Sequence, residues 1–503
     1  MAARAIERIG VVGAGAMGRG IAQLMAQCGC QTSVFDVDPA ASENALASVI
    51  KVWERLVEKG RMTAADVEAA RAWLSQAGSL ADFAGCDLVI EAIVERLDAK
   101  TALFSQLEDI VTPQAILVTN TSSLSVTEIA AACGRPGRVA GLHFFNPVPL
   151  MKLVEIVSGE RTDARAIDAL AALIERTGHR GVEVGDTPGF LVNHAGRAYT
   201  TEALKILGEG VAVPATIDAI ARDAVGFRMG PFELLDLTGL DVSVPAMETI
   251  YRGFYQEPRL RPVEIGRRRL AAGLLGRKTG EGFYRYSDSG KRQPAGIIDE
   301  PTGALPDRIA VAGTGWAAER LRAWCGSLGV DVVDPAPEIL TFVAPVGTDT
   351  ATECARLQTD PQWTIGVDVC FGLDSHRTLA TTPATRPQAA GQALALTRKD
   401  GVAAALVRDS AGLVLQRIVA LIVNLGCDIA QQGIARPADI DTAVKLALAY
   451  PHGPLEWGDA IGPGIVLEIL DGLVATTGDP RYRPSPWLSR RARLGLSLLR
   501  QEA

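Results

Sequence analysis

Residues 8–18 read RIGVVGAGAMG, a short apolar run that opens into a turn with glycines at 13, 15 and 18. Working outward, Ile21, Leu24, Met25 and Cys28 mark one face of a helix, and residues 31–35 form a second apolar run ending at Asp36. A strand, a glycine turn, a helix and an acidic strand end about 20 residues on is the order a dinucleotide needs. Gly13 permits the tight turn, Gly15 lets backbone approach a pyrophosphate, and Gly18 packs the helix close, so that the N–H groups of Ala16 and Met17 face the phosphates. Asp36 can accept hydrogen bonds from ribose hydroxyls and repel a 2′-phosphate, and no Arg follows it in FDVDP. NAD is therefore expected over NADP. The plain alternatives are a glycine-rich loop and a turn-capping aspartate.

Residues 87–91 (DLVIE) and 115–119 (AILVT) supply further strands between helical segments, which makes the first part an α/β, Rossmann-type doubly wound sheet. From Asn44 to Leu74 a charged amphipathic stretch with a break at Gly60 reads as a helical hairpin that projects from the sheet and lines a ligand cleft. After Thr187-Pro188 the texture becomes helical as far as Tyr284. Residues 287–306 are polar and rich in Pro and Gly, as in a linker or exposed crossover.

Beyond that point the chain repeats itself. Gly189, Pro214, Ile217, Asp218, Gly230, Pro231, Glu233 and Asp236 recur 223 positions later at Gly412, Pro437, Ile440, Asp441, Gly453, Pro454, Glu456 and Asp459. Arg8-Ile9, Gly13, Gly15 and Gly29 recur 300 positions later at Arg308-Ile309, Gly313, Gly315 and Gly329. The expected division is a cofactor-binding domain over 1–185, a helical domain over 186–286, the linker, a reduced Rossmann-like unit without cofactor over 307–405, and a second, structural helical domain over 406–503. Trp316 stands for Ala16, Ala318 for Gly18 and Gln416 for Asn193, and no HFFNP block lies between Pro361 and Thr382. One site per chain is expected.

With 503 residues the chain is long enough for several domains. A net charge of −8 without a basic stripe argues against nucleic acid as a partner. The cysteines form no C-x-x-C pair and the histidines show no metal-ligand spacing, so neither a disulfide framework nor a metal is expected. No apolar run reaches about 18 residues, and the N-terminus enters strand-like sequence at once. The expectation is a cytoplasmic protein without a membrane segment.

Between Asn120 and Glu155 the chain carries NTSSL with Ser122, GLHFFNP with His143 and Asn146, and MKLVE with Glu155; DTPGFLVN follows, ending at Asn193. A hydroxyl, an imidazole and a carboxylate beside a nicotinamide can move the proton that alcohol oxidation releases. A lone His among apolar residues is more often a satisfied core residue. A carboxylate on one ring nitrogen would fix the tautomer and leave the other nitrogen to act as a base. Sequence leaves that contact open, and Ser122 and Asn193 read equally as a helix N-cap and a polar helix-start residue.

These four blocks, in this order and at this spacing, resemble the L-3-hydroxyacyl-CoA dehydrogenase family, well as far as about Arg285 and in part beyond. The resemblance implies NAD-dependent oxidation of an (S)-3-hydroxyacyl-CoA to the 3-oxoacyl-CoA. It puts His143 and Glu155 on the catalytic pair, Ser122 on the active-site serine that meets cofactor and CoA ester, and Asn193 on the substrate-contacting asparagine. Glu95, Lys100, Asn146 and Lys278 fall on cofactor-proximal positions. Lys59 falls on a CoA contact, although Val52 stands where the family has a serine. Two-half members of this kind are similar to 3-hydroxybutyryl-CoA and 3-hydroxyadipyl-CoA dehydrogenases, the latter from phenylacetate breakdown. Since the family's helical domain commonly dimerises, the duplicate can take the partner's place in an intrachain pseudo-dimer, which leaves a homo-oligomer open. The rivals are an NAD-dependent dehydrogenase of a small hydroxy acid and a catalytically silent nucleotide-binding scaffold. Lys59 favours the CoA ester over the first; Ser122, His143, Glu155 and Asn193 together argue against the second.

Overall fold

The computed structural model describes residues 5–293 and 300–502. Residues 1–4, and the 294–299 part of the stretch read as a linker, lie outside the described residues.

The first half alternates β1 (Arg8–Val12), α1 (Ala16–Gln27), β2 (Gln31–Phe35), α2 (Pro39–Glu58), α3 (Ala64–Ala72), β3 (Leu74–Gln76), β4 (Leu88–Glu91), α4 (Leu97–Ile110), β5 (Ile116–Thr119), α5 (Val126–Ala130), β6 (Val139–Phe144), β7 (Leu153–Ser158), α6 (Ala164–Arg176), β8 (Arg180–Gly185) and α7 (Val192–Ala195). The eight strands form one sheet in the order β3-β2-β1-β4-β5-β6-β7-β8. Strands β4, β5 and β6 are buried along their whole length, because helices cover both faces. One core holds Ile9, Val11, Ile21, Met25 and Val34; the other holds Phe83, Val89, Phe104 and Leu117. All neighbours run parallel except β6 and β7. The link 145–152 is shorter than the dozen or so residues that a parallel crossover takes, so β7 must return antiparallel.

The expected helical hairpin is α2 and α3. Pro39 opens α2 behind Asp38, whose carboxylate accepts from Ala40 N at 3.0 Å, and Thr63 with Asp66 forms a capping box on α3. Trp53, fully buried, joins Val49, Val67 and Ala70 to Ala26 of α1. Each such buried apolar side chain contributes about 1.5–3 kcal/mol, which ties the hairpin to the sheet.

Next come α8 (Arg197–Gly208), α9 (Pro214–Val225), α10 (Pro231–Thr238), α11 (Leu240–Gly253) and α12 (Glu264–Ala271). The second half runs β9 (Arg308–Val311), α13 (Trp316–Ser327), β10 (Asp331–Val333), β11 (Thr341–Val343), α14 (Thr350–Leu357), β12 (Thr364–Val367), β13 (His376–Thr381), α15 (Pro387–Thr397), β14 (Ala403–Val407), α16 (Leu415–Gln431), α17 (Pro437–Leu448), α18 (Pro454–Ile461), α19 (Pro463–Thr477) and α20 (Pro486–Leu494). Its six-stranded sheet has the order β10-β9-β11-β12-β13-β14, with β12 and β13 antiparallel. The antiparallel pair is the counterpart of β6 and β7, so two strand positions and the helical hairpin of the first sheet are missing. This is the reduced Rossmann-like unit.

Packing groups these segments differently from their order. One unit comprises residues 1–194 and 433–448, the other 195–432 and 449–503. In the first, α17 from the second helical repeat packs on β7 and β8, with Gly185 N donating to the Ile434 carbonyl at 2.8 Å and Arg180 paired to Asp439 at 2.9 Å. In the second, α9, the counterpart of α17, packs on β13, and α8 packs against α16. Helix α16 is buried on every side from Leu415 to Ala430; most of its residues are apolar, and Gln416, Arg417, Asn424 and Asp428 each have a hydrogen-bond partner. Asp218 and Asp236 owe their place in the repeat to backbone ties. Asp218 accepts from Phe232 N, Glu233 N and Tyr284 Oη, and Asp236 accepts from Phe283 N, Tyr284 N and Tyr286 Oη. Part of the stretch read as a linker is close-packed: a Cβ on Gly391 of α15 would lie 2.3 Å from the Thr302 carbonyl oxygen. Among the described residues no single helix is long and apolar enough to cross a membrane.

Candidate functional site

The loops that leave the C-terminal ends of β1, β2, β4 and β5, with the end of β6, carry most of the residues singled out from sequence, the edge at which open α/β sheets bind ligands. At the end of β1, Gly13 has φ +106°, and a Cβ on Gly18 would lie 1.8 Å from the Gly13 carbonyl oxygen. Strand and helix are therefore in backbone contact. A Cβ on Gly15, by contrast, would meet nothing within 4 Å. Helix α1 starts there with no side-chain cap, and Gly15 and Ala16 are exposed, so the N–H groups of its first turn are open to a phosphate. The cradle fits a pyrophosphate. Asp36 accepts from Ala14 N at 2.8 Å and from Asp38 N at 3.1 Å. It thus caps its own turn, braces the glycine loop, and keeps lone pairs for ribose hydroxyls.

Antiparallel pairing sets His143 directly opposite Glu155. Nδ1 of His143 meets Glu155 Oε2 at 2.6 Å, and Glu155 Oε1 accepts from Leu191 N at 2.9 Å and Val192 N at 2.8 Å. Glu155 is fully buried, and Phe145 and Phe190 flank the imidazole with ring centroids 4.5 and 5.7 Å away. A carboxylate on Nδ1 assigns the proton to that nitrogen and leaves Nε2 as the basic one. The two amides that hold Glu155 sit at the start of α7, next to half-buried Asn193, the second residue of that helix. Sequence singled out all three side chains; strand register and these amides bring them to one place.

Ser122 lies exposed in the loop after β5. The N-cap of α5 is Ser125, whose hydroxyl accepts from Glu128 N, so the capping alternative for Ser122 falls away. Glu95, in the loop after β4, takes the backbone N–H of Ser122 at 3.0 Å and of Ser123 at 3.2 Å. Burial pushes the Glu95 carboxyl up, but hydrogen bonds from Thr121, Ser123 and Ser122 N, with the Lys100 charge, outweigh it and leave it below its ordinary value. Lys100 is 1% exposed, 2.6 Å from Glu91 and 3.3 Å from Glu95. Asn146 is exposed in the turn after β6, and Lys59 is exposed at the C-cap of α2. Lys278 lies in the other unit, paired to Asp241 at 2.6 Å. Sequence reasoning missed Glu91, Thr119 and Thr121, and also Asn120, whose side-chain oxygen accepts from Phe144 N at 2.9 Å. The available signal was a carboxylate closing the apolar run of β4.

The second sheet holds a different set at the matching places. By register with β13, the counterpart of His143 is Asp368, and that of Glu155 is Thr378. Gln416 donates to Asp368 Oδ1 at 3.1 Å and accepts from Gly347 N at 2.9 Å. A Cβ on Gly347 would lie 2.2 Å from the Ile469 carbonyl oxygen, so α19 closes over this loop. Asp368 is fully buried, and burial pushes its carboxyl up to about 6. Trp316 opens α13 and donates to Glu468 at 3.1 Å. Gly315 is as open as Gly15, with no atom within 4 Å of a Cβ placed there, and the difference at the helix start is the half-buried indole of Trp316 where the first sheet has exposed Ala16.

Comparison with known proteins agrees with this geometry. Residues 8–187 match the NAD binding domain of 3-hydroxyacyl-CoA dehydrogenases, and the C-terminal domain of the same enzymes matches twice, over 189–286 and 412–498. The chain is 36% identical to the 3-hydroxyadipyl-CoA dehydrogenase of Escherichia coli (strain K12), over 97% of this chain and 98% of that protein. It is 42% identical to a probable 3-hydroxybutyryl-CoA dehydrogenase of Bacillus subtilis (strain 168), over 56% of this chain and 98% of that one. The crystal structure of a 3-hydroxybutyryl-CoA dehydrogenase from Escherichia coli K12 superposes with a TM-score of 0.86 at 34% identity, covering 98% of this chain and 99% of that one.

Proposed function

Because this chain belongs to the 3-hydroxyacyl-CoA dehydrogenase family, we propose that it oxidises a short (S)-3-hydroxyacyl-CoA to the 3-oxoacyl-CoA at one site per chain, with His143 as the base. The observation that carries this reading is the Nδ1 contact to buried Glu155, which leaves Nε2 to take the hydroxyl proton. Glu155 stabilises the imidazolium that results, and its bonds to Leu191 N and Val192 N keep it from turning away. NAD, when bound, supplies the hydride acceptor. Gly13, Gly15, Ala16, Met17, Gly18 and Asp36 would hold it, with Glu95 and Asn146 in the loops at the same sheet edge. Ser122 and Asn193 orient the reacting oxygen and polarise the carbonyl as it forms. Lys59, exposed on the α2–α3 hairpin, is suited to a CoA phosphate.

Similarity along the whole length to a 3-hydroxyadipyl-CoA dehydrogenase, and over the first part to 3-hydroxybutyryl-CoA dehydrogenases, supports a four- to six-carbon acyl chain. The test is kcat/KM for 3-hydroxybutyryl-CoA, 3-hydroxyadipyl-CoA and the corresponding free hydroxy acids. A CoA ester should exceed its free acid by at least about 100-fold, since the CoA handle supplies binding energy for orientation. Equal turnover of the free acid would overturn the reading.

A further inference from the structure

Helix α1 is followed by Cys28-Gly29-Cys30, two thiols one glycine apart, at the edge of the first sheet opposite the glycine loop. Gly29 has φ +81°; its N–H donates to the Ala26 carbonyl at 3.1 Å, and Cys30 N donates to the Met25 carbonyl at 3.1 Å. This is the left-handed glycine stop of a helix. It folds the chain back, so that the side chains on either side of the glycine meet: Cys28 Sγ lies 3.6 Å from Cys30 Sγ. Cys28 is half-buried and Cys30 fully buried. A Cβ on Gly29 would meet nothing within 4 Å, which leaves the outer face of the turn open.

Behind the pair stands Arg176, the last residue of α6. Its Nη1 donates to the Ile6 carbonyl at 2.9 Å, and its Nη2 lies 3.5 Å from Cys30 Sγ. As a thiol, Cys28 donates to the Met25 carbonyl at 3.2 Å; as a thiolate it accepts from Cys30. That hydrogen bond, with the Arg176 charge, outweighs burial and brings the Cys28 thiol down to about 7, while Cys30, as the donor, holds its proton more tightly. Elsewhere burial dominates: it pushes the thiols of Cys86 and Cys133 up to about 11 and that of Cys325 up to about 12. A half-exposed thiolate beside a second sulfur and a guanidinium is the arrangement of a reactive cysteine with a resolving partner.

We propose that Cys28 and Cys30 are a redox-active dithiol that hydrogen peroxide converts to a disulfide, with Cys28 as the nucleophile and Cys30 as the resolving thiol. The Cys28 thiolate attacks one peroxide oxygen; the O–O bond breaks, the other oxygen leaves as hydroxide and takes a proton to become water, and Cys28 becomes a sulfenic acid. Cys30, no longer donating to a thiolate, then gives up its proton beside Arg176 and attacks Cys28 Sγ. The S–O bond breaks, and the departing hydroxide takes that proton as a second water. Two thiols have lost two electrons and two protons, and one peroxide has become two waters. Each sulfur moves by less than about 1 Å to reach the bonding distance of about 2 Å, a shift that side-chain rotation at an open turn allows. A small dithiol reverses the reaction by thiol–disulfide exchange.

The experiment treats the reduced full-length chain with a few equivalents of hydrogen peroxide near pH 7.5, quenches with N-ethylmaleimide in denaturant, and maps the tryptic peptides by mass. Both cysteines fall in the peptide that runs from Gly20 to Lys51. That peptide should become unalkylated and about 2 Da lighter, one S–S bond replacing two S–H bonds, while Cys86, Cys133 and Cys325 stay alkylated. Dithiothreitol should restore both alkylation sites. Cys30→Ser keeps a donor to Cys28 but cannot resolve, so it should stop at a sulfenic acid on Cys28 that dimedone traps. Cys28→Ser should leave Cys30 reduced. Arg176→Gln should slow the loss of the Cys28 thiol by about threefold or more, because the charge that favours the thiolate is gone. If a variant does not fold, the wild-type map decides alone. Wild-type Cys28 reacting no faster than Cys86, Cys133 and Cys325, or ending as a sulfenic acid with Cys30 still alkylated, overturns the proposal. Thiols are read without substrate or cofactor, so the outcome is independent of the dehydrogenase reading.

Discussion

Arg259 and Arg481, buried side chains in matching turns of the two helical copies, exchange bonds: Arg259 donates to the Arg483 carbonyl at 2.9 Å and Arg481 to the Arg261 carbonyl at 2.6 Å. Each copy supplies the carbonyl that the other's guanidinium needs. Reciprocal contacts of this kind are what a two-fold dimer produces, and here both partners lie in one chain.

Truncation after Tyr286 should therefore give a protein that dimerises or aggregates, although every residue of the His143 and Ser122 region is retained. It would uncover the face of α8 that α16 covers, and leave buried Glu202 without Arg417, its partner at 2.7 Å. Sedimentation velocity checks this. A truncated form that is monomeric, soluble and of undiminished Tm would contradict it.

His143→Gln should lower kcat by about 100-fold or more with NADH affinity nearly unchanged, the usual worth of general-base catalysis. Glu155→Gln should act in the same direction and also lower Tm, because Leu191 N and Val192 N lose a charged acceptor. Steady-state rates and NADH fluorescence titration separate the two effects. Near-normal kcat in both variants at neutral pH would show that the pair is misassigned.

Asp36→Asn keeps an acceptor for Ala14 N and removes the charge. Wild type should prefer NAD by orders of magnitude in kcat/KM, and the variant should narrow that preference by about tenfold or more without losing turnover. Comparable efficiency of the wild type with NADP would sink the assignment of Asp36.

Asp368 offers a pH test of the second half. Its folded carboxyl is raised to about 6, above the unfolded value, by burial that Gln416 and two backbone amides only partly offset. The folded state thus holds the proton longer, so the contribution is full below pH 4 and is lost as pH rises through 6. Asp368→Asn should leave Tm unchanged near pH 4 and raise it at pH 8, by an amount on the order of 2–3 kcal/mol of stability. Turnover should not change. Loss of activity, or a Tm gain confined to acid pH, would argue against a purely structural second half.

Calorimetric titration should find one NADH per chain, since α13 begins with Trp316 bonded to Glu468 where α1 begins with exposed Gly15 and Ala16. Two equivalent sites would reverse that conclusion.

Residue spacing alone reveals the glycine loop, Asp36, the hairpin and the duplicated helices, because each rests on a local rule. Gly13 must take a positive φ, Gly18 must leave room for a carbonyl, and Pro39 must open a helix. The repeated Gly, Pro and Asp positions are visible for the same reason, since caps and turns are set by residues a few places apart. The burial of Lys100 was not visible in this way. In EAIVERLDAK it looks like any solvated charge, and only the folded loops after β4 and β5 show what surrounds it.

By itself, then, the sequence determined the elements, their duplication and the identity of the chemistry-bearing side chains, because short-range backbone constraints are written in residue types. Tertiary structure decided which of those side chains meet. His143 faces Glu155 because β7 turns back antiparallel, Asp368 stands where a histidine would because β12 and β13 repeat that register, and α9 and α17 pack on opposite sheets. These contacts join residues distant along the chain, and no spacing rule reaches that far; strand register and the packing of whole faces select them.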